Sequence, residues 1–388
     1  MKEYNIRDFG AVCDEGKKEI PLIVQRNKDI EHIMLASARY GVHGFGKANL
    51  DKLFTMLCVA DVHQSYTQME NAIEYLNFYD AIDFGICLGD MQAGSYSDSD
   101  GVWYKNAVAR ANKPFFTVLG NHDGGNYGVF TECGTPRKTF EKFIRPNARG
   151  IGIEGLDRAY YMKLFDAYKV ALIVLTNYDY PDTRDEKGEP LVDRSYEVYS
   201  QEQVEFLIHS LLKIPSDYHL ILAAHSHPYK KAVEPCVFSQ MRDYSMNNPY
   251  GNNNMIPDII DAWKRGKILK RSYAPKILTE ALPLVSVDAD FSARGEGNFV
   301  CYLIGHHHCD FIGWNDTYRD QRIVSLAAAA FDLYQNQWTD LPRTEGTKAE
   351  DLLTTLSIDT EKREIRLVRI GSNFTVELKE RTYCVVKY

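Results

Sequence analysis

From Leu53 onward the chain alternates short, unbroken apolar runs with segments whose apolar residues recur at helical spacing. Residues 53–60, 83–88 and 114–119 are runs of strand length, while 67–79 (TQMENAIEYLNFY) and 102–111 (VWYKNAVARA) predict amphipathic helices. Residues 135–145 predict another helix, and 159–164 with 168–175 (YKVALIVL) predict a strand pair. A helix follows over 200–212, with Ser200 as N-cap and Gln203 in capping-box position. Further strands are predicted at 218–224 and in the run VCYLIG ending at Gly305, and 321–333 returns to the core. Runs without internal alternation suit strands covered on both faces, so the pattern predicts an α/β domain with much parallel pairing.

This pattern divides the chain into a polar extension, 1–50, a main domain, 51–335, and a strand-rich end, 350–388. Within the extension, 21–40 has helix-like spacing, with Ile30, Ile33, Met34 and Ala38 on one face. The polar loop 177–195 is read as a rim element. The stretch about 230–298 reads as an insertion holding a loop at 247–254 (NNPYGNNN), a helix at 256–264 and a Gly-rich segment at 288–298 (DADFSARGEGN). It is either a cap over the pocket or a plain surface insertion. The final ~40 residues make a poor core alone and are expected to complete the sheet.

Charge and cysteine usage narrow the class. The net charge of −8 gives no electrostatic footprint for nucleic acid or anionic membrane. No apolar run is long enough to span a bilayer, and MKEYNIRDFGAVCDEGKKEI lacks a signal-peptide core, so a cytoplasmic protein is expected. Cys58, Cys87 and Cys301 lie inside apolar runs and no CxxC pair occurs, which argues for a reduced protein without cysteine-bound zinc.

The chemistry gathers where the runs stop. They end in Asp61-Val62-His63, Gly89-Asp90, Gly120-Asn121-His122-Asp123, His225 (LILAAHSHP) and Gly305-His306-His307-His308. Singly, each passes as a turn, a capped strand end or an exposed loop. Together, five strands deliver metal-type ligands to their carboxyl ends, where open α/β sheets collect ligands. Carboxylate, carboxamide and imidazole donors without thiolate suit Mn²⁺, Fe, Zn²⁺ or Co²⁺. Asp90 is the natural carboxylate to bridge two ions. In extended segments the i,i+2 spacing of Asp61/His63 and His306/His308 puts each pair on one face and turns Val62 and His307 away. By the same alternation His122 faces away from Asn121.

This ordered set resembles the calcineurin-like metallophosphoesterases over roughly residues 53–330. The resemblance implies two packed mixed β-sheets flanked by helices, with two metals at the strand ends. Asp61, His63 and His308 would bind one metal and Asn121, His225 and His306 the other, with His227 the alternate for His225 because Pro228 lies one residue off the family pattern. His122 would contact the phosphate and protonate the leaving group, with Asp123 orienting its ring. The implied activity is hydrolysis of a small phosphodiester or phosphomonoester by in-line attack of a metal-bridging hydroxide. Arg294, in the 288–298 segment, is a candidate substrate contact. The GDMQAGS stretch lacks the arginine of protein Ser/Thr phosphatases, and Ala93 stands where purple acid phosphatases carry tyrosine. A non-catalytic scaffold on the same fold and a nuclease are the rival readings; filled ligand positions weigh against the first and the acidic balance against the second.

Overall fold

The computed structural model describes residues 53–388 apart from 80–81, 93–97, 124–135, 149–154, 156–157, 180–182, 184, 189–196, 228–231, 237–254, 275–283, 316, 331–342, 344–349 and 372–382. The extension 1–50, most of the 177–195 loop, the 247–254 loop and the run FTVELKE lie outside the described residues.

Two mixed sheets carry the fold. In the first, β1 (Phe54–Val59), β2 (Phe84–Cys87) and β3 (Phe115–Thr117) are parallel, and α1 (Tyr66–Phe78) and α2 (Asp98–Val108) lie on the crossovers between them. The second takes β4 (Tyr161–Phe165), β5 (Val170–Val174), β6 (His219–Ala223), β7 (Ala232–Cys236), β10 (Asn298–Ile304), β11 (Phe311–Asn315) and β12 (Arg322–Ser325), in the order β4-β5-β6-β10-β12-β11-β7. Its middle strands β5, β6, β10 and β12 are parallel. Two strands of the insertion, β8 (Ile268–Tyr273) and β9 (Val285–Asp290), form a separate antiparallel hairpin.

The strand-rich end joins the first sheet. There β13 (Leu352–Asp359) pairs antiparallel with β1, Phe54 opposite Ile358, and is followed outward by β14 (Glu364–Gly371) and β15 (Tyr383–Lys387).

Side-chain alternation explains the unbroken runs. On β5 and β6, Val170, Leu172, Val174, Ile221 and Ala223 join the core shared with the first sheet. Ala171, Ile173, Leu220 and Leu222 point the other way, into a second core beneath α3 (Gln201–Lys213) and α4 (Met255–Lys264). Both faces are covered, so every position is apolar except His219 at the start of β6. The insertion contributes to that second core: Ile256, Ile259 and Ile260 are buried there, and the Trp263 indole N–H donates to the Leu211 carbonyl at 3.0 Å. Ser200 caps α3 by accepting from the Gln203 N–H at 3.1 Å. The reciprocal half of the expected capping box is replaced, because the Gln203 carboxamide bonds the Thr176 backbone and ties α3 to the end of β5. Among the described residues, no helix is long and apolar enough to cross a membrane.

Candidate metal centre

The carboxyl ends of β1, β2, β3, β6 and β10 meet at one place between the sheets. Asp61, His63, Asp90 and His308 bring one ligand-type atom each within 4.8 Å of one another, and so do Asp90, His225 and His306. Asn121 joins the second group, its Oδ1 lying 3.0 Å from His225 Nε2 and 3.0 Å from His306 Nδ1. Asp90 belongs to both. Its Oδ2 stands 3.6 Å from His63 Nε2 and 3.3 Å from His225 Nε2, while Oδ1 accepts the His122 backbone N–H at 2.8 Å.

The strands reach this place through left-handed turns. Asp61, His63, Asp90, His306 and His308 all have positive φ, between 44° and 66°. The i,i+2 pairs therefore converge by turning, and the extended-segment explanation is corrected: a residue at positive φ redirects the chain where a strand residue would only alternate faces. Residues 120–123 likewise form a turn, closed by the Asp123 N–H on the Gly120 carbonyl at 3.2 Å. Glycine lets the two loops touch. A Cβ on Gly120 would stand 2.1 Å from Asp90 Oδ1, and one on Gly89 would stand 2.4 Å from His225 Nδ1.

The donors are set up for cations. His63 Nδ1 lies 3.0 Å from the Gln92 carbonyl and His225 Nδ1 lies 2.7 Å from the Leu88 carbonyl. A ring N–H given to a carbonyl fixes the ring's orientation and turns Nε2 to the centre. There His63 Nε2 meets His308 Nε2 at 3.0 Å, and His225 Nε2 meets His306 Nδ1 at 3.1 Å. Burial pushes the His63 imidazole down to about 4 and the His308 imidazole to about 3, keeping both neutral as ligands must be. Burial also acts to raise the Asp90 carboxyl, but His225, which Asp90 and Asp61 hold up at about 10 against burial, outweighs it with His122 and keeps the carboxyl well below the usual range. Asp61 goes the other way, driven well up by burial with Asp90 adding to the rise. Two carboxylates this close need compensating positive charge, which a divalent cation supplies. Among the described residues, neither group includes a thiol. The donor set fits oxygen- and nitrogen-seeking divalent ions.

Other sequence candidates are placed differently. His227 stays out of both groups and packs edge-on against His307, ring centroids 4.9 Å apart, while His225 occupies the centre. His122 is partly open, its side chain 18% exposed, with Nε2 3.9 Å from Asp90 Oδ2. Asp123 has a structural task in the backbone around the centre. Its buried carboxylate accepts backbone N–H groups of Asp90 at 2.9 Å, Gln92 at 3.2 Å and Gly120 at 2.8 Å, stapling the Asp90 loop to the turn after β3. Arg294 is not brought to the centre. It sits before β10, the strand whose opposite end leads to His306, roughly 20 Å away at strand rise. Its guanidinium donates to the carbonyls of Ile214, Pro215 and Glu296 and stacks on Trp263 at 4.7 Å.

One contributor escaped the sequence reading. Asn177, wholly buried beyond β5, accepts from the His225 and Ser226 N–H groups at 3.0 and 3.1 Å and donates to the Tyr199 hydroxyl and the Ser226 carbonyl. It fixes the strand end from which His225 projects. The signal was available, since YKVALIVLTN is another apolar run ending in a polar side chain.

Residues 54–310 match the family described as calcineurin-like phosphoesterase, and the chain belongs to that family. Membership implies a dinuclear divalent metal centre, and the two groups sharing Asp90 are where this chain could hold it. A comparison with curated proteins found no match. Among solved structures the chain is similar to PhoD, at 11% identity and a TM-score of 0.48, over 87% of this chain and 68% of that one. It is similar to the purple acid phosphatase PPD1 of yellow lupin (Lupinus luteus), at 12% identity and a TM-score of 0.45, over 86% and 54%. It is also similar to TT1561 of Thermus thermophilus, at 10% identity and a TM-score of 0.38, over 86% and 99%.

Proposed function

We propose that the protein is a metal-dependent phosphoesterase acting on a small phosphodiester or phosphomonoester. The observation that carries this reading is a single buried carboxylate, Asp90, common to two clusters of oxygen and imidazole donors. Paired divalent ions, Mn, Fe or Zn by donor type, would clamp the attacking and leaving oxygens and make water nucleophilic near neutral pH. Asp61, His63 and His308 hold one ion in this reading, Asn121, His225 and His306 the other, and Asp90 both. His122, beside the centre yet partly open, carries the proton for the leaving oxygen.

The test is a panel of p-nitrophenyl mono- and diesters, nucleotides and nucleotide sugars, assayed with Mn²⁺. Activity should vanish on chelation and return with Mn²⁺. Asp90→Asn should lower kcat by ~10²-fold or more and leave fewer than two metals per chain. A purified chain holding well under one metal and hydrolysing nothing would instead be a binding protein on the same fold.

A further inference from the structure

Arg369 lies on β14, beyond the residues that match the family, and is buried in the protein. Its guanidinium forms an ion pair with Asp310, which is also buried and stands two residues after His308. Ionic partners withdrawn from water return less than an apolar pair of the same volume, so packing alone does not account for them.

The surrounding hydrogen bonds show what the pair reaches. Asp310 Oδ1 also accepts the Ala327 N–H at 3.0 Å, and the Ser325 hydroxyl donates to the Cys309 carbonyl at 3.0 Å. Two residues on, the Ala329 N–H donates to the Ala60 carbonyl at 2.7 Å and the Ala330 N–H to the Asp61 carbonyl at 3.0 Å. Arg343 holds the other side of this segment, donating to the Ala329 and Ala330 carbonyls at 2.9 and 2.6 Å. One charge pair thus braces the segment that backs Asp61 and the loop that presents His308. His225 is anchored elsewhere, through Asn177 and Leu88.

We propose that Asp310 and Arg369, set by the C-terminal strands, are positioning residues for Asp61 and His308, two ligands that belong to one group only; this rests on the two-metal reading of the centre. The experiment is a Mn²⁺ titration of the metal-stripped full chain, followed by calorimetry, with thermal unfolding of the metal-free protein in parallel. The variant Asp310→Leu/Arg369→Met spares the desolvation of a buried ion pair but leaves the Ala327 N–H without its acceptor, so the two effects oppose and its unfolding temperature should stay close to that of wild type. It should nevertheless lose ~10–100-fold in affinity at one Mn²⁺ site and none at the other, the size usual for groups that support ligands. His308→Ala should weaken the same site, and adding it to the double variant should bring little further loss. Should the double variant not fold, Arg369→Lys keeps the charge but not the planar fork and should weaken that site by a smaller factor. Two wild-type affinities in a folded variant would overturn the inference and leave the phosphoesterase reading standing. A wild-type chain that binds no Mn²⁺ would overturn both.

Discussion

Asp90 uses two oxygens for two tasks. Oδ1 holds the backbone of the turn that follows β3, through His122 N–H, and Oδ2 looks into both ligand groups. His122 inherits its position from that contact, which separates its proposed chemical role from metal binding. We expect His122→Ala to retain both metals. It should slow hydrolysis of an alkyl phosphoester by ~10²–10⁴-fold, and of a p-nitrophenyl ester much less, because that phenolate leaves without a proton. Equal losses on both esters would mean that the ring stabilises phosphoryl charge. The residue types at the centre were legible because each follows an apolar run. Their backbone conformations were not. Nothing in Asp61 or His306 announces a positive φ, which costs of order 1–3 kcal/mol for a non-glycine residue and is held by the packing around it. Asp123 shows the same limit: its place beside His122 in sequence does not disclose the three backbone N–H groups that its carboxylate accepts.

At the scale of elements, strand ends do the positioning and buried polar side chains lock them. Asn177 is the clearest, with one carboxamide satisfying two N–H groups, a hydroxyl and a carbonyl. Asn177→Ala would leave the His225 and Ser226 N–H groups buried without their acceptor. The expected result is a ~10–100-fold loss of Mn²⁺ affinity at the site served by His225, with circular dichroism unchanged. Uniform weakening of both sites would point to general loosening. The long elements were readable from their periodicity. The insertion was not, because α4 is amphipathic whether it covers a pocket or the outer face of the second sheet. The tertiary contacts of Trp263 and its neighbours place α4 against the second sheet. Arg294 followed the same error, since a cation in a Gly-rich loop reads as exposed until the carbonyls of Ile214 and Pro215 are seen to take it up.

The whole molecule has a pH response built in away from the centre. His219, on β6, is buried with Nδ1 2.8 Å from the Tyr388 hydroxyl. Burial, and then the nearby Arg363 charge, lower its imidazole from 6.5 to about 4. The unfolded chain therefore takes up a proton that the folded chain refuses, and stability falls as pH drops from about 6.5 to about 4. His219→Gln should flatten the dependence of Tm on pH across that window; a slope parallel to wild type would remove His219 as a source. A last consequence follows from the pairing of Phe54 with Ile358. On the ribosome, β1 emerges roughly 300 residues before its neighbour β13, a wait of about 15–60 s at ordinary rates of synthesis. Until then that edge of β1 lacks its partner strand. Newborn chains must therefore pass through a stage with one finished sheet edge and one bare one, the stage at which a chaperone has most to do.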